Sequence, residues 1–428
     1  MSRFSRFISS VNVQNVAKLL SANVVAQVVG LLVYPLLTRL YSPEDFGLMN
    51  LFVSIGNVLV ILATAEYHYA IVLPKDDKDA RGVVHISACL LLFMTIAVLI
   101  TLPFANCIAD IFNTPALANV YHWMPLMVLL LGSWNILNYW YIRNKMYTRI
   151  SGYQMSQSVL SAGMKIGFGY AGYLQGGLIY SMLLAPTLSL IASIILAFKR
   201  CIRPLLRIDI SAIRKAATTY RNFPLYTMPR SLVNVLAGQL PVLLLAPIFG
   251  TEHIGLWGMA LLLGFVPINM ITKAIYQVLY QHITTCVHAK KPIGHMLKRF
   301  IWGSSLVVIP CFAILGYVLP DITSWLLGSE WLVSGNYIRW MLPWLWLSLL
   351  TGSICFLSDV FMQQQIGFWF EVLLAGCRVI GLLLGIWQDS FLWAVASYSI
   401  GTAIAVAAQL IWLIMLAKKH DNSLTTVD

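Results

Sequence analysis

Apolar residues run through this chain in long blocks, separated by short segments carrying most of the lysines and arginines. Twelve blocks reach the ~20 residues that a helix needs to cross a hydrocarbon core about 30 Å thick. The first six are Val16–Leu37, Gly47–Ala65, Val84–Phe104, Tyr121–Tyr141, Ser156–Tyr173 and Gly177–Phe198. The second six are Pro229–Phe249, Ile254–Ala274, Phe300–Leu319, Ile338–Leu357, Phe368–Ile386 and Phe391–Leu416. With no water to satisfy backbone groups, such blocks must be helices. The pattern predicts an all-α integral membrane protein of about twelve transmembrane helices, kinked or broken at Pro35, Pro241 and Pro267.

Composition agrees. Of the 428 residues, 59% are hydrophobic and 10% charged, against about 25% charged in soluble domains, which excludes a water-soluble globule. The net charge of +12 is explained by topology. With the N-terminus inside, twenty-three basic residues fall in inner segments and only Arg39 and Arg339 in outer ones, while Lys165, Lys273 and Arg378 lie within spans. That is a strong positive-inside signal. It predicts cytoplasmic termini and leaves no basic face for nucleic acid. Met1–Phe7 is basic like a signal peptide, but the block that follows is too long for a signal core, so it reads as a retained first span. Cysteine labelling should therefore place Lys145, Arg207, Lys291 and Lys418 inside and Asp110, Glu252 and Asp389 outside. Any one of them on the wrong side breaks the twelve-span scheme. The seven cysteines form no CxxC pair, which argues against a disulfide framework or zinc site.

The two halves repeat a landmark. Residues Asn23 to Ala63 and Asn234 to Ile271 each carry an Asn near a span's start, then a Gln, then a Pro. A turn ending in Phe46-Gly47-Leu48 or Ile254-Gly255-Leu256 opens the next span. Six spans per half make these parallel repeats. The expected organisation is a six-helix lobe over 1–198, a basic cytoplasmic linker over 199–228, a second six-helix lobe over 229–416 and a tail over 417–428. Residues His420 to Asp428 read as disordered.

With these landmarks placed, several stretches gain meaning. They are Pro35-Leu-Leu-Thr-Arg-Leu-Tyr-Ser-Pro-Glu-Asp-Phe-Gly-Leu48, Glu66-Tyr-His-Tyr-Ala-Ile-Val-Leu-Pro-Lys75, Tyr220-Arg-Asn-Phe-Pro-Leu-Tyr226, Leu240-Pro-Val-Leu-Leu-Leu244 and Gly328-Ser-Glu-Trp331 with Gly335 and Tyr337. In order and spacing the chain resembles the Wzx-type polysaccharide-repeat flippases, relatives of the multidrug and toxin extrusion carriers. The resemblance implies two lobes around a central cavity. It also implies transport of a polyprenyl-pyrophosphate-linked oligosaccharide, of the undecaprenyl type, across the bacterial inner membrane for O-antigen, capsule or exopolysaccharide assembly. A polysaccharide polymerase and a chain-length regulator are candidate partners beside membrane lipids, and no cofactor is implied. Lipid II flippases carry two additional helices, which makes a peptidoglycan precursor a poorer match.

Charges within spans are the candidate chemistry, because an intramembrane charge should face the bundle interior or a wet cavity. Lys165, central in its block and too deep to snorkel, and Arg378, also central, are candidate cations for a diphosphate. Gly163 and Gly167 suggest a close helix contact beside Lys165. Lys273 near an inner end, Arg230, and the amides Asn23, Gln27 and Asn234 are further candidates for substrate binding. Each has a plainer reading as snorkelling, positive-inside charge or interhelical glue. Glu371, two turns before Arg378, and Glu66, at an inner margin, are candidates for ion coupling. For Glu66 the plainer reading is an interfacial carboxylate in water. Tyr139-Trp140-Tyr141 and Trp340, Trp344 and Trp346 read as interface belts or packing, with sugar stacking as the alternative. His85, His122 and His253 show no metal-ligand spacing. A multidrug exporter would favour an acidic cavity. A membrane-embedded polymerase would need paired carboxylates in outer loops, and Asp110, Asp321 and Glu330 do not supply a nucleophile constellation.

Overall fold

The computed structural model of the chain describes residues 30, 32–289 and 291–425, and all regular elements among them are helical. The long helices are α1 (32–40), α2 (Pro43–Thr64), α3 (Asp77–Ile100), α4 (Met124–Arg143), α5 (Tyr147–Tyr170), α6 (Leu174–Ala197), α7 (Met228–Phe249), α8 (Thr251–His288), α9 (Gly294–Leu327), α10 (Leu332–Ile354), α11 (Gln364–Trp387) and α12 (Phe391–Thr425). Among the described residues nine helices are long and apolar enough to cross a membrane. A tenth span forms if Pro115–Tyr121 and α4, bent by 58°, count together. Besides the short α1, α5 does not qualify, having the length but too many polar Ser and Gln residues beside Arg149 and Lys165.

Local chemistry sets the helix ends. Ser42 caps α2 through a reciprocal box, its Oγ accepting from Asp45 N at 3.3 Å while Asp45 Oδ2 accepts from Ser42 N at 3.0 Å, and Pro43 fits the first turn. Of the kink or break expected at Pro35, Pro241 and Pro267, no break occurs, because α1, α7 and α8 each continue through the proline. Membrane thickness limits an apolar block but not a helix. With 38 and 34 residues, α8 and α9 run about 57 and 51 Å, well past the blocks that announced them.

The tail is a second correction. Far from disordered, 420–425 continue α12, and Asp421 accepts hydrogen bonds from the Ile293 and Gly294 amides at 2.8 and 2.7 Å. Those amides begin α9 and have no intrahelical acceptors, so a carboxylate there satisfies them and meets the positive end of the helix dipole.

The chain divides into two compact units, Met1–Gly255 and Leu256–Asp428. In the first, α2 packs on α3, α4 and α7, and α5 packs on α6. The first unit thus extends one span beyond the repeat boundary. The basic linker is built structure, with a ten-residue helix, Ile210–Thr219, lying along α3. Lys78–Asp209 at 2.8 Å and Lys215–Asp79 at 2.6 Å tie it down. Hydrogen bonds from Lys78 and Ser211 hold Asp209's carboxyl well below the usual carboxylate range.

The repeat landmarks meet in the first unit. A Cβ on Gly47 would collide with the Thr251 carbonyl, and one on Gly255 with the Pro43 carbonyl. Each glycine faces the residue four positions before its counterpart. Asn50 Nδ2 donates to Ile254 O at 3.4 Å beside them. In the second unit α12 packs on α10 and α11, around a core that includes Ile283, Leu297, Leu350, Phe356 and Leu413.

Candidate functional site

In the first unit the chain turns sharply after α2. Ala65 and Glu66 both adopt left-handed conformations, with φ of 43° and 60°, at a cost of about 1–2 kcal/mol each for L-residues. The turn sends the Glu66 side chain inward, where the residue is only 3% exposed. This corrects the reading of Glu66 as a carboxylate in water. The 3-10 turn Tyr67–Val72 then brings His68 back, with Nε2 at 3.5 Å from Glu66 Oε2. His68 Nδ1 lies 3.0 Å from the Thr64 hydroxyl.

Aromatic rings close this pocket. His68 packs on Tyr69 and Tyr139 at centroid distances of 4.3 and 5.3 Å, and the two tyrosines meet edge to face at 5.1 Å. Burial raises Glu66's carboxyl above its ordinary value, and a hydrogen bond from Ser231 pulls it back. Burial also pushes His68 down to about 4, so at neutral pH the imidazole is uncharged. The nearby cation is Arg230, whose charge acts on the Tyr69 hydroxyl together with that of Glu66. Glu66 Oε2 accepts no hydrogen bond among the described residues. Around Glu66, one of the expected residues, the structure gathers His68, Tyr69, Tyr139 and Ser231, while Arg230 is exposed and forms no ion pair with it. His68 and Tyr69 stand in the quoted Glu66–Lys75 stretch, but only the turn shows that they fold back on the acid. Asn234, one turn beyond Arg230 on α7, is exposed. Asn23 and Gln27 lie outside the described residues.

Lys165 lies on α5, half-buried, and forms no ion pair among the described residues. Because α5 starts earlier than its apolar block and ends at Tyr170, Lys165 sits five residues from the helix end, about 7.5 Å along the axis, rather than at its centre. Its carbonyl accepts from Tyr41 Oη at 2.7 Å, which pins this stretch of α5. Among the described residues no close contact forms at Gly163 or Gly167, where nothing stands within 4 Å of either Cβ position. Instead, Ser151, Gln154, Ser158, Ser161 and Lys165 recur at spacings of three and four, which places them on one face. Ser151 Oγ and Gln154 Oε1 on that stripe are buried without hydrogen-bond partners among the described residues. The spacing was available in the sequence, but scanning for apolar residues passes over a polar stripe.

In the second unit Arg378 lies near the middle of α11. Its guanidinium stands 5.7 Å from the ring centroids of both Trp344 and Tyr398, and its buried Nε has no hydrogen-bond partner among the described residues. Trp344 and Tyr398, 5.6 Å apart and edge to face, are backed by Phe265 and Trp257 at 4.5 and 5.8 Å. A half-buried cation beside two aromatic rings is stabilised without a counter-charge. Trp344 therefore holds the arginine and is no interface belt. Its partner Tyr398 arrives from α12 and left no local signal. Glu371 is exposed and unpaired with Arg378. Lys273 is also exposed, about 33 Å from the start of α8, near the expected inner margin. Among the described residues no three His, Cys, Asp or Glu side chains gather to hold a metal ion.

Comparison with solved structures places this helical arrangement. The lipid II flippase MurJ, in an inward closed conformation, superposes with a TM-score of 0.68 at 12% identity, covering 95% of this chain and 90% of that one. An inward-facing multidrug resistance MATE family transporter of the MOP superfamily gives 0.61 at 16% identity, covering 92% and 96%. At such identities the likeness is one of fold. No curated protein sequence matches the chain. A family model of polysaccharide biosynthesis proteins matches residues 36–336, a region that takes in nearly every motif behind the flippase resemblance. The chain is a multi-pass helical membrane protein that belongs to the polysaccharide biosynthesis protein family.

Proposed function

We propose that the protein is a transporter that flips a polyprenyl-diphosphate-linked oligosaccharide across the bacterial inner membrane for surface polysaccharide assembly. The observation that carries this reading is a pair of cations, Lys165 and Arg378, lying within helices without a carboxylate in ion-pair range among the described residues. A diphosphate cannot leave water without such partners, and arginine suits its oxygens in particular. The polar stripe on α5 gives sugar hydroxyls a surface that lipid tails do not. Family and fold support transport linked to polysaccharide synthesis. A polymerase and a chain-length regulator are the partners that such a cargo would next meet.

The test is reconstitution. Full-length protein in liposomes should speed movement of a fluorescent polyprenyl-diphosphate oligosaccharide between leaflets and leave a lipophilic cation where it is. The reverse result would establish the multidrug exporter instead, with buried Glu66 as the residue favouring a cation.

Glu66 is the proposed coupling acid, ahead of exposed Glu371. Its raised carboxyl takes up a proton at higher pH than a free glutamate, and neutral His68 offers it no fixed counter-charge. Cargo-dependent proton flux, read with an internal pH dye, should vanish in Glu66→Gln and persist in Glu371→Gln. Unchanged flux in Glu66→Gln refutes the assignment.

A further inference from the structure

We propose that the segment from Lys199 to Ile210 is an interfacial anchor, which seats the protein on the anionic phospholipid headgroups of the adjoining leaflet. Connectivity sets its depth, because the apolar span Gly176–Ala197 ends two residues before Lys199. Two hydrogen bonds clamp its backbone to the first unit. Trp140 Nε1 donates to Cys201 O at 3.0 Å, and His85 Nε2 lies 2.7 Å from Leu205 O. Cys201 and Ile202 turn inward and are buried.

The opposite side is a fixed mixture of aliphatic and cationic groups. Leu206, Ile208 and Ile210 are 65, 72 and 79% exposed, and Lys199, Arg203 and Arg207 are exposed among them. None of these three cations forms an ion pair among the described residues, whereas neighbouring Lys78 and Lys215 are both matched by aspartates. A surface facing only water has no use for isoleucines held out on a clamped backbone. A surface within the hydrocarbon would not carry unmatched arginines. The boundary layer accommodates both, with aliphatic side chains entering the acyl region and guanidinium groups meeting phosphates. Charge complementarity selects anionic lipid over a protein partner, and the segment emerges from a membrane span already at that level.

The thermal midpoint of the full-length protein in neutral detergent should rise more on adding phosphatidylglycerol than on adding phosphatidylcholine. The double variant Arg203→Gln/Arg207→Gln should lose that difference and keep the phosphatidylcholine response. Equal responses to the two lipids in the wild type, or an undiminished difference in the variant, overturn the proposal. A photoreactive phenylalanine analogue at position 208, with all cations intact, gives a second measurement that does not depend on how the double variant folds. In bilayers containing phosphatidylglycerol it should form adducts with phospholipid, and adducts with protein alone overturn the anchor.

Discussion

Gly255→Val should leave almost no monodisperse protein after detergent extraction, and Gly47→Val should do the same. Their missing side chains face backbone, the Pro43 and Thr251 carbonyls respectively. No flexible tip can move aside, so even the smallest Cβ forces α2 and the start of α8 apart. Overpacking in a core costs about 1–3 kcal/mol when side chains can adjust, and a backbone collision should exceed that. Gly238→Ala is the matched control. It also lies in a helix, but nothing stands within 4 Å of its Cβ position, and alanine is the better helix former. Size-exclusion profiles of the three variants check the claim. A normal profile for either valine variant would mean that the crossing opens freely.

Arg378→Ala should cut oligosaccharide flipping about 30-fold or more while protein level stays normal. Removing one partner of a desolvated charge contact typically costs 2–5 kcal/mol, and 1.4 kcal/mol is tenfold. Arg378→Lys should recover only part of the rate. It keeps the charge but loses the planar fork that lies over Trp344 and Tyr398 and can grip two oxygens at once. Lys165→Ala should be the milder change, since Lys165 stands closer to a helix end. Melting curves separate transport from packing, because a loss of fit between the two rings lowers the midpoint, whereas a loss of phosphate recognition alone does not. Wild-type flipping in the double variant Lys165→Ala/Arg378→Ala would remove both residues from the mechanism.

Hydrophobic blocks revealed the long helices because lipid exposure and helix formation coincide in a membrane. They misplaced ends wherever the two part company. Blocks stop where polarity begins, whereas α8, α9 and α12 continue into polar sequence, and α5 begins in it. Lys165 is therefore central in its apolar block but five residues from the end of α5. Burial around Glu66 was invisible because it depends on two left-handed residues that no composition rule anticipates in Ala-Glu. Arg378 stood out as a charge in an apolar block, but its aromatic neighbours come from other helices. Asp421 looked like one more polar residue in a tail until the α9 amides it satisfies came into view. The glycine landmarks were legible as a repeat, and their mutual contact was not.

That contact is reciprocal. When two copies of one surface touch across a two-fold axis, residue i of the first meets residue j of the second, and j of the first meets i of the second. Gly47 with Thr251 and Gly255 with Pro43 follow this rule with i and j four apart. A symmetric dimer would show the same reciprocity, with a single codon writing both glycines and one mutation striking the seam twice. In one chain the two codons change independently, yet each glycine confronts backbone beside the other. A bulky side chain at either position therefore meets the same seam.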